Sequence, residues 1–191
     1  MLVLEFVNTV HARRGRPGDD LSDVEGMTAW GLAHAAELGL GPSFAASEEL
    51  RHEVVRLRQA VRALFARAVA PGPASGADVT RLPGFTESLA LVNATALAAP
   101  VAPRLEWPRE GAPVATRVLT GESGESARVR AVLATAAIEF LAGPYGEQLR
   151  TCGSSPCVLY FVKERPRQEW CSVRCGNRAR AARHYHQHKA H

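Results

Sequence analysis

The sequence has few aromatic residues and no long hydrophobic run. Phe, Trp and Tyr make up 6% of 191 residues, so the core must be built mainly from Leu, Val and Ala, a composition that favours helices. No stretch reaches the roughly eighteen apolar residues that a membrane span needs. The opening MLVLE lacks the basic segment of a secretory signal. We therefore expect a cytoplasmic protein with no membrane contact.

Residues 1–143 also lack the short motifs of common enzymes. They contain no GxSxG elbow, no HExxH, no P-loop and no dinucleotide fingerprint. His11, His34 and His52 are scattered, and we expect each to be a surface or structural histidine. Nothing here predicts an enzyme.

A few residues of this region are candidates for a small-ligand pocket. Asn8, Thr9 and Asn93 are polar residues inside apolar runs, which predicts that they turn inward. They would either bind a small-molecule effector or hydrogen-bond neighbouring backbone. Trp30 and Trp107 would either wall such a pocket or pack in the core. The structural interpretation is preferred in each case.

One long amphipathic helix is predicted over residues 47–70. Its apolar residues recur at spacings of three and four, with Ser47 as the cap and Pro71-Gly72 as the stop. Docking on its own domain is preferred to a coiled-coil homodimer. The apolar stripe consists of Leu50, Val54, Leu57, Val61, Leu64 and Ala68.

Shorter elements surround this helix. Gly143-Pro144 breaks the last helix of this region, so we expect a mainly α domain of residues 1–143 and a separate module of residues 144–191. The elements are a short strand in LVLEFVNTV, a loop over HARRGRPGDD, a helix over Met27–Leu38 capped by Thr28, a helix marked by Phe85, Leu89, Val92 and Ala96, a small β-hairpin of RLEW and PVATRVL, and a helix marked by Val129, Leu133, Ala136 and Phe140 and capped by Ser126.

Charge is distributed unevenly along the chain. From Arg150 to the end there are nine Lys/Arg and two Asp/Glu, whereas the rest carries fourteen and seventeen. A near-neutral to acidic body with a basic end is typical of a nucleic-acid contact, although many basic tails are only solvated.

The four cysteines all lie in that basic end. Four residues separate Cys152 from Cys157, thirteen separate Cys157 from Cys171, and three separate Cys171 from Cys175. Two close pairs with a medium gap supply four thiolates to one tetrahedral Zn²⁺, with no position left for a catalytic water. Two disulfides, an Fe–S cluster or unrelated thiols are the alternatives.

The residues around the cysteines predict a small ββα zinc module of treble-clef type. VLYFVKERPRQEW predicts a hairpin that turns at Glu164–Arg167 and returns to Trp170. Ser172 is placed to cap a helix that begins near Val173. Gly176 would let the backbone pass close to the metal.

Cys175-Gly176-Asn177-Arg178 spells CGNR and follows Trp170-Cys171-Ser172. This motif resembles the CGNR zinc finger of bacterial proteins described as stress-induced transcription regulators. LEFVNTV and SLALVNATALAAPVAPRLEW resemble the opening and middle of their N-terminal ABATE domain. The resemblance implies a regulator whose finger binds DNA and whose helical domain senses a ligand. Lys163 and Gln168-Glu169 depart from the family pattern, which weakens the case for a DNA surface on the hairpin.

The last helix carries the candidate nucleic-acid contacts. Asn177 and Arg178 are as well suited to supporting the metal site as to contacting DNA. The alternative function is a zinc-stabilised protein-interaction module. The late histidines His184, His186, His188 and His191 suggest a polar helix end that gains charge in mild acid. The candidate phosphate contacts are Arg174, Arg178, Arg180, Arg183 and Lys189.

Overall fold

The computed structural model describes residues 1–13, 16–78 and 82–189, without the side chains of Arg13, Arg117, Leu119, His186, His188 and Lys189. In chain order the elements are α1 (Leu2–Val7), β1 (Val10–Arg13), β2 (Arg16–Asp19), α2 (Val24–Ala33), α3 (Ala35–Leu38), α4 (Glu48–Ala68), α5 (Phe85–Leu97), β3 (Val101–Glu106), β4 (Val114–Leu119), α6 (Glu125–Ala142), β5 (Leu149–Thr151), β6 (Tyr160–Val162) and α7 (Val173–Lys189). The predicted fold class is confirmed: the chain is mainly helical, with small hairpins and a C-terminal ββα module.

Helix α4 lies at the centre of the helical part of the chain that precedes the cysteines, which we call the body. The Ser47 hydroxyl accepts a hydrogen bond from the Leu50 N–H at 3.1 Å, so the predicted cap is confirmed. The apolar stripe from Leu50 to Leu64 is buried, while Ala68 is exposed and Phe65 and Val69 continue the buried face. Helices α1, α2, α5 and α6 contact α4, so the stripe docks on its own chain and is not available for a coiled coil.

The N-terminal strand prediction is wrong, because Leu2–Val7 forms helix α1. Val3, Phe6 and Val7 are buried, and their spacing of three and one puts them on one face of the helix. The β-favouring side chains of this segment suggested a strand, but packing against α4 and α6 favours the helix.

The segment HARRGRPGDD was predicted to be a loop, but most of it forms the two paired strands β1 and β2. Arg14 and Gly15 lie outside the described residues. Val10 pairs with Asp19 and His11 with Gly18. A Cβ on Gly18 would clash with the His11 ring, so glycine leaves room for that ring across the strand pair.

Two predicted caps are also wrong. Asp23, not Thr28, caps α2 through a 2.7 Å hydrogen bond from the Gly26 N–H. Thr28 instead accepts a hydrogen bond from the Ala46 N–H. Helix α6 begins at Glu125, next to Ser126, and has no side-chain cap.

The hairpin of β3 and β4 is confirmed, with Val101 opposite Leu119 and Glu106 opposite Val114. It contributes little to the core. Trp107, expected to pack in the core or wall a pocket, is 69% exposed at the end of this hairpin.

The C-terminal hairpin exists but uses other strands than predicted. β6 pairs with β5, which precedes the first cysteine, rather than with residues near Trp170. The polar stretch after β6 is held by a turn, in which the Glu164 N–H donates to the Gln168 side chain. Helix α7 begins at Val173, as predicted. Among the described residues, no helix is long and apolar enough to cross a membrane.

Candidate metal centre

The four cysteine sulfur atoms converge between β5, the turn after it and the start of α7. All four lie within 4.8 Å of one another. The sulfur atoms of Cys157 and Cys171 are 3.8 Å apart, and those of Cys171 and Cys175 are 3.6 Å apart. These separations are far longer than the roughly 2 Å of a disulfide bond, and all four cysteines are free.

The spacing of the sulfur atoms fits zinc. Four sulfurs each about 2.3 Å from one tetrahedral ion lie about 3.8 Å from one another. Cys152 and Cys175 are buried and the other two are partly buried, so the set is enclosed as structural zinc sites are. One structural zinc ion is therefore supported, and Cys152, Cys157, Cys171 and Cys175 are the residues that would hold it.

Without a cation the thiols of Cys152, Cys157 and Cys171 compete for protons. Hydrogen bonds from the Cys157 and Cys171 thiols lower the pKa of Cys152 to about 2. The hydrogen bond to Cys152 raises the pKa of Cys157 to about 11 and that of Cys171 further still. Among these three residues, one thiolate is accommodated readily and further thiolates are not. A divalent cation bound there would remove this restriction by neutralising the added charge.

The N-terminus of α7 brings Cys175 to the cluster. The Ser172 hydroxyl accepts the Cys175 N–H at 3.2 Å, which confirms the predicted cap. Gly176 is needed for a different reason than predicted, since a Cβ there would lie 2.9 Å from the Trp170 ring. Trp170 packs on a small cluster of Phe161 and the cysteines, so it closes one side of the metal site.

Arg178 supports the metal site directly. Its Nη2 lies 3.4 Å from the Cys175 sulfur and donates to the Ser154 carbonyl at 3.1 Å, while its Nε donates to the Ser154 hydroxyl at 3.2 Å. Buried Ser154 in turn donates to the Cys175 carbonyl at 2.8 Å. Such donors fix the orientation of a thiolate and offset its charge. The Asn177 side chain instead accepts from Arg180.

An amide side chain joins the module to the body. Asn8, just after α1, donates from Nδ2 to the Tyr160 carbonyl and accepts the Tyr160 N–H through Oδ1, both at 2.9 Å. The Asn8 amide thus satisfies the main-chain N–H and C=O of Tyr160 at the edge of β6, as a neighbouring strand would. Asn8 therefore serves as a clamp on the module's second strand.

A buried ionic network, which the sequence alone did not reveal, reinforces this junction. Arg62 of α4 and Asp78 have side chains that are each 2% exposed, and they pair through Nε and Oδ1 at 2.7 Å. The Tyr160 hydroxyl donates to Asp78 at 2.7 Å. Arg62 also donates to the Val7 carbonyl, and Ser75 donates to that of Val158. The network thus connects α1, α4 and the module.

The candidate phosphate contacts differ in their surroundings. Arg174 is exposed and has no ionic partner among the described residues. The guanidinium groups of Arg180 and Arg183 lie 5.4 Å and 5.7 Å from the Trp170 ring centre. Arg183 also pairs with exposed Glu169 at 3.4 Å. Lys189 ends α7, and its side chain lies outside the described residues.

The candidate pocket residues do not line one cavity. A cavity of about 880 Å³ between α1 and the module includes Asn8, but not Thr9, Trp30 or Asn93. Thr9 is buried and donates to the Phe6 carbonyl while accepting from Arg58. Trp30 lies against Phe6. Asn93 is exposed on α5, contrary to the expectation that it turns inward.

Comparison with protein families agrees with this geometry. A family model named ABATE, described as "Putative stress-induced transcription regulator", matches residues 1–144. A CGNR zinc finger model matches residues 148–188. A search of curated proteins returns no significant match. Both matches are to regulatory or zinc-finger families rather than enzyme families, and the chain belongs to the ABATE family and carries a CGNR zinc finger at residues 148–188.

Proposed function

We propose that this regulator binds DNA through helix α7 of its zinc finger. In this proposal the chain is divided into a helical body of residues 1–143 and a finger of residues 144–191. Zinc fixes the start of α7, and the clamp by Asn8 and the network of Arg62, Asp78 and Tyr160 hold the finger on the body. The helix would therefore meet DNA in a fixed orientation.

Trp170 is the observation that carries this proposal. It lies beside two arginine side chains, Arg180 and Arg183, on a helix that contains no acidic residue. Cation–π contacts at exposed sites contribute about 0.5–1 kcal/mol each. Arginines ordered in advance lose less side-chain entropy when they bind phosphate. Arg174 adds a third exposed cation, whereas Arg178 is engaged at the metal site.

A salt titration with duplex DNA, read by fluorescence anisotropy, tests the proposal. Binding should weaken steeply with salt, since each phosphate contact contributes about 0.9 to the slope of log K against log salt. Arg180→Glu/Arg183→Glu should reduce that slope by about two. Arg16→Glu/Arg56→Glu is the matched control, because it changes net charge equally at exposed positions of the body.

Three results would contradict this function: no DNA binding, binding that does not depend on salt, or an equal loss in both double variants. The competing function is a protein-interaction platform. For that function we expect a protein partner that stays bound at high salt and no binding of DNA.

The body's contribution, in this proposal, is to sense a small molecule in the 880 Å³ cavity. That cavity is lined by α1 residues such as Leu4 and by finger residues such as Arg174, so a ligand there would contact both parts. A thermal-shift screen tests it, with Leu4→Trp as the cavity-filling variant. A ligand should raise the melting temperature of the native chain and not that of the variant, and a screen without such a ligand would count against sensing at this cavity.

A further inference from the structure

The β3–β4 hairpin exposes apolar side chains that the proposed function does not use. Leu105 is 67% exposed and Trp107 is 69% exposed. Isolated two-stranded ribbons are marginally stable in water, and contiguous exposed apolar surface marks an interaction site. Within the described part of the chain, β3 pairs only with β4, so its other edge is open.

The hydrogen-bond pattern shows which main-chain groups point out of the open edge. The Thr120 N–H donates to the Pro100 carbonyl at 3.0 Å. Counting every second residue from Pro100, Ala102, Arg104 and Glu106 occupy the hydrogen-bonded positions opposite β4. Main-chain groups alternate in direction along an antiparallel strand. The N–H and C=O groups of Leu105 therefore point away from β4.

We propose that β3 pairs with β3 of a second copy of this chain, antiparallel and centred on Leu105. In that register Leu105 lies opposite Leu105, and Arg104 lies opposite Glu106 of the other copy. Pro103 lies opposite Trp107. The short sequence Pro103–Trp107 is thus complementary to itself when read in the reverse direction.

Charge is the first reason to choose a second copy as the partner. Arg104 has no ionic partner among the residues described here, and Glu106 only accepts a 3.3 Å hydrogen bond from Thr116. The pairing gives both groups a partner of opposite sign, twice by symmetry. Arg104 and Glu106 would meet at non-hydrogen-bonded positions, where cross-strand side chains are closest.

Apolar contact is the second reason. Successive side chains of a strand point to opposite faces, so Pro103, Leu105 and Trp107 share one face of the hairpin. Pairing places Leu105 against its counterpart and each Pro103 against a Trp107 ring. The exposed apolar residues of both copies thus cover one another, while the charged pairs occupy the opposite face.

Pro103 restricts the registers in which two copies of β3 can pair. A register centred on Pro103 would lose both hydrogen bonds at its central pair, since proline has no N–H. In the register centred on Leu105 the Pro103 carbonyl still accepts the Trp107 N–H. The contact uses the same surface on both copies, so it closes at two chains. Such a dimer would present two fingers to DNA, and its absence would leave the DNA contact of a single finger intact.

Charge-swap variants test this pairing by light scattering coupled to size exclusion, from low micromolar to near-millimolar protein. The native chain should dimerise with rising concentration. Arg104→Glu and Glu106→Arg should each raise the dimer dissociation constant about tenfold or more, because both cross-strand pairs become repulsive. Glu122→Arg, at an exposed loop position, is the matched control and should have no effect.

Recombination of the charges separates pairing from misfolding. An equal mixture of Arg104→Glu and Glu106→Arg chains should form a heterodimer, because each charge then faces its opposite. The double variant Arg104→Glu/Glu106→Arg should dimerise as the native chain does. A native chain that is monomeric throughout, single variants that dimerise normally, or a mixture that stays monomeric would each overturn the proposal.

Discussion

Removal of the Tyr160 hydroxyl should destabilise the body and the finger together. In Tyr160→Phe the ring keeps its edge contact with Phe65, whose centroid lies 5.3 Å away, so only the 2.7 Å hydrogen bond to Asp78 is lost. Burial, together with neighbouring Asp78, raises the pKa of Tyr160, so the hydroxyl carries its proton and donates.

The expected loss follows from this bond. Hydrogen bonds to charged groups contribute about 1.5–3 kcal/mol, and Asp78 and Arg62 remain buried in the variant. For a chain of this length that loss lowers the melting temperature by about 3–12 °C. Because Asp78 and Arg62 belong to the body, the free energy of unfolding of the helices should fall as well as that of the finger.

Urea unfolding followed by two signals measures this effect. Far-ultraviolet circular dichroism reports the helical body, and release of zinc to a colorimetric indicator reports the finger. Tyr145→Phe is the matched control, because Tyr145 is about half exposed and its hydroxyl should contribute less than about 0.5 kcal/mol. An unchanged helical transition, or equal effects of the two variants, would refute a shared network.

Two other changes have defined outcomes. Arg178→Ala removes the donors to Cys175 and Ser154, so competition with a chelator should show zinc affinity lowered about 10- to 100-fold, whereas Arg174→Ala should leave it unchanged. Asp19 is subject to burial, but hydrogen bonds and charge from Arg58 hold its pKa below the usual value. Its stabilisation is therefore present above about pH 4 and lost as the pH falls further through the folded pKa. The difference in unfolding free energy between native protein and Asp19→Asn should shrink from pH 7 to pH 3, and a difference that is constant with pH would contradict this assignment.

Local signals predicted the central helix and the metal site well. Helix α4 followed from the spacing of Leu50, Val54 and Leu57, and the start of α7 followed from Ser172. The cysteine spacing alone indicated a four-sulfur cluster. The helices are determined by interactions between residues that are close in sequence. The metal site is determined by four cysteines, whose thiolates are typical zinc ligands.

Long-range interactions could not be predicted in this way. Arg58 and Arg62 flank the apolar stripe of α4 and would ordinarily be expected at the surface. They are buried because Asp19 and Asp78 reach them from 39 and 16 residues away. The strand partner of β6 was not predicted for a similar reason. The expected hairpin lay between Cys157 and Cys171, whereas β5 lies before Cys152.

The most direct test of the central claim is the metal content of the purified chain, measured by elemental analysis for the native protein and for Cys171→Ser. One zinc ion per native chain, and its loss or marked weakening in the variant, is the predicted result, because the Cys171 sulfur lies between those of Cys157 and Cys175 at 3.8 Å and 3.6 Å. A native chain that folds without stoichiometric metal, or zinc held equally well by the variant, would contradict the finger and the orientation of α7 that depends on it.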